Sequence, residues 1–151
     1  MPITLEEIKT EHAKFAELIA TYEKQPFKFD EPIVIAFPAL KKGEKWAGVI
    51  ISADGSKREH IILLPGDNDD ANWEAQKKWA TSIGGELPDR SESALLFATM
   101  KSEFKGPAYW TREQSAGYSD SAWCQGFNNG SQIIIPKSNC LRARAVRRLP
   151  I

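Results

Sequence analysis

The chain holds two cysteines, Cys124 and Cys140, and two histidines, His12 and His60, from which any nucleophilic or metal chemistry would have to be built. Neither cysteine belongs to a CxxC pair and both histidines are remote from them, so the spacing of a structural zinc site is absent. A thiol attacks as a thiolate and needs a base, a cation or a helix N-terminus beside it. Cys124 follows Trp123 in an apolar run with no such neighbour in sequence, and the two cysteines read as buried free thiols. The run Asp67-Asn68-Asp69-Asp70 resembles half of a calcium loop but lacks the glycine and distal glutamate of an EF-hand. The same residues suit the start of a helix, where they cap it and complement its positive end. There is no GxGxxG, Walker loop, GxSxG or HExxH, and no spacing marks a Ser-His-Asp set. The sequence therefore assigns no catalytic residue, no metal and no cofactor.

The elements that would position any site follow from composition and pattern. Twenty Lys and Arg balance 20 Asp and Glu, and 42% of the 151 residues are apolar. This is the composition of one ordinary globular domain, which at this length buries about 70% of its unfolded surface. No apolar run approaches the roughly 20 residues that cross a bilayer, and the first residues lack the basic and apolar regions of a secretion signal. The expectation is a protein made in the cytoplasm, without membrane insertion. Charge is unevenly spread: seven acids against four bases up to Glu31, and no acid after Asp120, where Lys137, Arg142, Arg144, Arg147 and Arg148 stand. A basic tail can meet phosphates. In residues 141–145, however, apolar and basic residues alternate with period two, which predicts a half-buried strand whose other face is solvated or internally paired, and a nucleic-acid partner is not favoured.

Leu5, Ile8, His12, Phe15, Ile19 and Tyr22 follow spacings of 3, 4, 3, 4 and 3, which predicts a helix capped by Thr4 and stopped by Pro26. This heptad-like seam either docks on the chain's own core or pairs with copies of itself, a trimer among the assemblies it suits. Residues 33–37, an apolar run between Pro32 and Pro38, suit a buried strand. Residues 46–51 and 60–64 flank Asp54-Gly55 as a hairpin. A second helix carries Trp73, Gln76, Trp79, Ala80 and Ile83 on one face and ends at Gly84-Gly85. Asp89 and Glu92 form a capping box for a third, with Ala94, Leu95, Phe97, Ala98 and Met100 toward the core. Strands follow at 108–111, 121–127 and 131–135, with a turn at Asn128-Asn129-Gly130, and a closing strand runs over 141–148. Trp110 and Trp123 read as core, and a hinge is expected near 25–29.

The ordered set Gly84-Gly85-Glu86-Leu87-Pro88-Asp89-Arg90-Ser91-Glu92, Tyr109-Trp110-Thr111, Ala122-Trp123 with Phe127-Asn128-Asn129-Gly130, and Arg144-Ala145-Val146-Arg147 resembles the Lcl C-terminal-domain family of C-type-lectin-like folds. The resemblance spans roughly residues 69–149. Glu86 stands where that family usually has Trp-Arg, and Thr111 where Ser is commoner. The resemblance implies an α+β, C-type-lectin-like domain at 27–151, two helices packed on a twisted antiparallel sheet, preceded by an N-terminal helix at 1–26. It also offers a Cys124–Cys140 disulfide as the alternative to free thiols.

Members of that superfamily are often binding modules of phage and bacterial surfaces. The expectation is thus a non-enzymatic module, phage or prophage encoded and carried on the virion. It would recognise a host protein or glycan through Gln114, Ser115, Gly117, Tyr118, Ser119, Asp120, Asn128, Asn129, Arg142 and Arg144. The loop 112–120 has the polar, aromatic and glycine content of an adaptable recognition surface. The Glu-Pro-Asn, Gln-Pro-Asp and Trp-Asn-Asp motifs of calcium-dependent sugar binding are absent. The alternative is an intracellular phage inhibitor that binds a host defence protein or nucleic acid. A third reading is an enzyme resembling the formylglycine-generating type, which needs a reactive cysteine pair.

Overall fold

The computed structural model describes residues 2–24 and 34–151. The chain divides into two compact units, Met1–Ile35 and Ala36–Ile151. In the first, helix α1 spans Leu5–Glu23. Thr4 Oγ1 accepts from the Glu7 amide at 3.3 Å while Glu7 Oε2 accepts from the Thr4 amide at 2.8 Å, a complete capping box. No residue of α1 is buried. The stop at Pro26, the hinge at 25–29 and Ile33 of the expected strand lie outside the described residues. Residues 34–37 form no strand and are exposed, a correction to the sequence reading. Four apolar residues ending at a proline lack a sheet partner, and without one they gain nothing from extended pairing.

In the second unit, β1 (Lys45–Ile51) and β2 (Arg58–Leu63) form the expected hairpin, with Ile51 opposite Arg58. The Asp54 carboxylate closes its turn by accepting from Ser52 Oγ at 2.6 Å and Ser56 Oγ at 2.7 Å. Gly55 supplies the positive φ of 70° that this turn needs. Then follow β3 (Asn68–Ala71), α2 (Trp73–Ser82), α3 (Arg90–Met100), β4 (Ala108–Gln114), β5 (Ser121–Gly126), β6 (Gln132–Pro136), β7 (Leu141–Ala143) and β8 (Val146–Pro150). One sheet has the order β1-β2-β8 and the other β3-β7-β4-β5-β6, antiparallel except for the β4/β7 pair. An N-terminal helix, two further helices and two mostly antiparallel sheets make this an α+β protein.

Four local expectations need correction. The aspartates 67–70 do not cap α2: Asn72 Oδ1 accepts from the Ala75 amide at 2.9 Å, while Asp67 and Asp69 are drawn to Arg142. On α3 the buried residues are Glu92, Ser93 and Leu96, with Ala94 and Ala98 exposed, because Glu92 turns inward to meet Arg148. Strand β4 runs on to Gln114, shortening the loop to 115–120. Thr111 Oγ1 donates to the Trp123 carbonyl at 2.9 Å and holds β4 against β5 across an irregular register. The closing strand breaks at 144–145, where the chain passes from one sheet to the other. Arg144 is buried there, donating to the carbonyls of Glu103 at 2.6 Å and Leu64 at 3.1 Å.

Two core clusters result. One gathers Leu64, Trp73, Leu87, Trp110 and Cys124 under α2, and the other packs Ile61, Leu63, Leu96, Tyr109, Phe127 and Val146 under α3. Phe104 stacks on Phe127 with ring centroids 3.7 Å apart. Both cysteines are free; Cys124 is buried, but Cys140 is exposed in the turn before β7, so the reading of two buried thiols holds for Cys124 alone.

Candidate functional site

A groove of about 630 Å³ opens between the N-terminal half of α3 and the β5–β6 hairpin, within the size range of ligand sites. Its floor is set by hairpin register. Gln125 pairs with Gln132 across β5 and β6, and Gln132 Nε2 donates to Gln125 Oε1 at 2.8 Å and to the Arg90 carbonyl at 2.7 Å. Gln132 Oε1 accepts from Arg90 Nε at 2.9 Å. The Arg90 guanidinium thereby sits over the Trp123 indole, its Cζ 3.6 Å from the ring centroid. Glu113 Oε2 accepts from the Arg90 amide at 2.5 Å. Phe97 and Ala94 form an apolar wall, completed by Gly130. Gly130 has φ 79°, and a Cβ there would stand 2.8 Å from the Phe97 ring.

The groove is held rigid from behind. Glu92, fully buried, caps α3 with Asp89 and binds Arg148 bidentately, Oε1 to Nε at 2.5 Å and Oε2 to Nη2 at 2.8 Å. Arg148 also meets Glu86. Burial works against the Arg148 charge, but its carboxylate partners outweigh burial and raise its pKa above the usual guanidinium value. Among the described residues, the terminal nitrogens of Arg90 and Oε1 of Glu113 have no hydrogen-bond partner. A donor fork and an acceptor thus stand at the groove beside an apolar wall.

The residues singled out in the sequence fall in three places. Gln114, Ser115, Gly117, Tyr118, Ser119 and Asp120 share the β4–β5 end. The Ser115 amide donates to the Ser121 carbonyl at 2.9 Å, and Lys137 Nζ donates to Gln114 Oε1 at 2.6 Å and the Ser119 carbonyl at 2.8 Å. Tyr118 projects from this fastened loop, 62% exposed. Asn128 and Asn129 lie at the opposite end of β5, roughly 17–20 Å away at 3.3 Å per residue, in the turn that leads to Gly130. Arg142 is committed to Asp67 and Asp69 at 2.8 and 2.9 Å, and Arg144 is buried.

Arg90, Glu113, Gln125 and Gln132 were not singled out from sequence. One signal was there: Gln125 and Gln132 flank the Asn128-Asn129-Gly130 turn at nearly equal distance, which sets them opposite each other. No group of three or more His, Cys, Asp or Glu residues is placed to hold a metal ion, and no helix is long and apolar enough to cross a membrane, among the described residues. No protein-family model matches the chain, and no curated protein matches it.

Proposed function

We propose that this chain is a non-enzymatic binding module that takes a polyhydroxylated ligand, a glycan of a host surface, in the groove between α3 and the β5–β6 hairpin. The carrying observation is the Arg90 guanidinium, held over Trp123 with open terminal nitrogens, beside the open Glu113 oxygen. A sugar hydroxyl both accepts and donates, and vicinal hydroxyls suit a donor and an acceptor placed side by side. The apolar C–H face of a pyranose suits the wall of Phe97 and Ala94. Lateral hydrogen bonds hold these groups in place before a ligand arrives, which lowers the ordering cost of binding. The resemblance to the Lcl C-terminal-domain family supports a C-type-lectin-like fold and a place on a phage particle.

A second reading, an intracellular partner protein, draws on Tyr118, a rigid aromatic on a fastened loop, the kind of anchor that carries protein interfaces. One experiment separates the two. The labelled full chain is applied to a glycan array, and each hit is titrated calorimetrically against Arg90→Met, Glu113→Gln and Tyr118→Ala. The groove reading expects at least a tenfold loss in the first two and an unchanged affinity in the third. Binding kept in Arg90→Met and lost in Tyr118→Ala transfers the site to the loop, and an array without hits overturns the glycan.

A further inference from the structure

Helix α1 is apolar along one seam, which no described residue of its own unit covers. Leu5, Ile8, Phe15, Ile19 and Tyr22 are between 55% and 77% exposed, and His12 lies on the same line. α1 has 19 residues, and most of a helix's stability in a protein comes from packing its apolar face. We infer that α1 is an assembly element, and that its seam is covered by α1 of further copies of this chain in a bundle of three or four helices.

Three observations fix the occupant. The first is the repeat itself. The seam alternates steps of three and four residues, the period of 3.5 that keeps a helix facing others of its own kind. The second is the choice of side chains. With Leu5 at an a position and Ile8 at the following d, the first layer has the leucine-then-isoleucine order that moves preference from two strands to three or four. The third is the width of the strip. Leu18, 64% exposed, falls at a g position and Ala16 at an e position, beside the Phe15 and Ile19 layers. A two-stranded coil leaves those flanks wet, and additional helices cover them.

Charge permits the arrangement. In a parallel bundle the g residues meet e residues five positions on in the neighbour, which sets Thr4 by Lys9, Glu11 by Ala16 and Leu18 by Glu23, with no like charges opposed. Lys9 and Lys14 pair within their own helix with Glu6 at 3.1 Å and Glu11 at 2.7 Å. Multiple copies would carry multiple grooves on one particle and raise avidity well above the affinity of one.

The test is sedimentation velocity and light scattering on the full chain from low-micromolar to several-hundred-micromolar concentration. It compares the native sequence with Ile8→Glu combined with Phe15→Glu, and with His12→Ile. The expected result is a mass of three or four chains for the native protein, one chain for the double variant, and dissociation at least tenfold weaker for His12→Ile, which replaces the one polar seam residue. Unchanged near-ultraviolet circular dichroism in the double variant ties the loss to α1 and not to unfolding of Ala36–Ile151. A monomer or dimer for the native chain, or an assembly that survives the double substitution, overturns the inference.

Discussion

Single residues in this protein are governed more by what surrounds them than by their type. Cys124 and Cys140 are chemically identical in sequence, yet one is sealed in the core against Trp110 and Ala122 and the other stands in an exposed turn. Burial pushes the Cys124 thiol above its ordinary pKa, disfavouring the thiolate, while Cys140 is open to reagent. Titration with a thiol-specific disulfide reagent is expected to find one reactive thiol per native chain and two after denaturation. No reactive thiol before or after denaturation would mean that the cysteines are paired, and two in the native chain would mean that the core around Cys124 opens. The basic tail makes the same point. Five positive charges without an acid among them look like a docking surface, but Arg142, Arg147 and Arg148 each meet carboxylates from earlier in the chain, and Arg144 meets carbonyls. The alternation in 141–145 predicts the strand, while the partners that consume the charge lie up to 103 residues away in sequence.

At the scale of elements, local signals were readable and long-range duties were not. The Thr4 cap of α1, the capping box of α3 and the Asp54-Gly55 hairpin follow from neighbours within three residues, and the structure has them where the sequence puts them. The inward face of α3 is different, because a capping glutamate is expected at the wet end of a helix. Glu92 is buried there by Arg148, which arrives from the last strand. The same residue therefore caps α3 and fastens it to β8. Removing one partner of a buried pair leaves an uncompensated charge, so Glu92→Ala is expected to cost about 3–5 kcal/mol in urea unfolding. Adding Arg148→Met should recover part of that loss, since the stranded guanidinium goes with it. Equal destabilisation by the single and double variants would show that the cap, not the ion pair, is what Glu92 contributes.

Across the whole molecule, strand order and the groove were the least legible features. Parallel pairing of Tyr109 with Arg142, and the passage from β7 in one sheet to β8 in the other, join segments that carry no mutual signature in sequence. The last strand nonetheless organises the unit, and one of its ties has a thermodynamic signature. Arg147 grips Glu44 bidentately, Nε to Oε1 at 2.7 Å and Nη2 to Oε2 at 2.8 Å, and also donates to the Ala39 carbonyl at 3.1 Å. The Arg147 hydrogen bonds hold the Glu44 carboxyl at about 2, well below its ordinary 4.5. A carboxyl whose folded-state pKa lies below its unfolded value stabilises the fold above pH 4.5 and loses that contribution as pH falls through about 2. Urea unfolding at intervals between these limits is therefore expected to show stability falling with acid in the native chain. Arg147→Leu should start lower at neutral pH and fall less steeply, because the largest cause of the depressed Glu44 carboxyl goes with the guanidinium while the Lys41 amide still donates to it at 2.7 Å, and the two curves should approach each other toward pH 2. Parallel curves would mean that the Arg147–Glu44 tie contributes nothing to proton linkage, and that the remaining depressed carboxyls, Asp54 and Glu103 among them, carry the acid sensitivity of the fold.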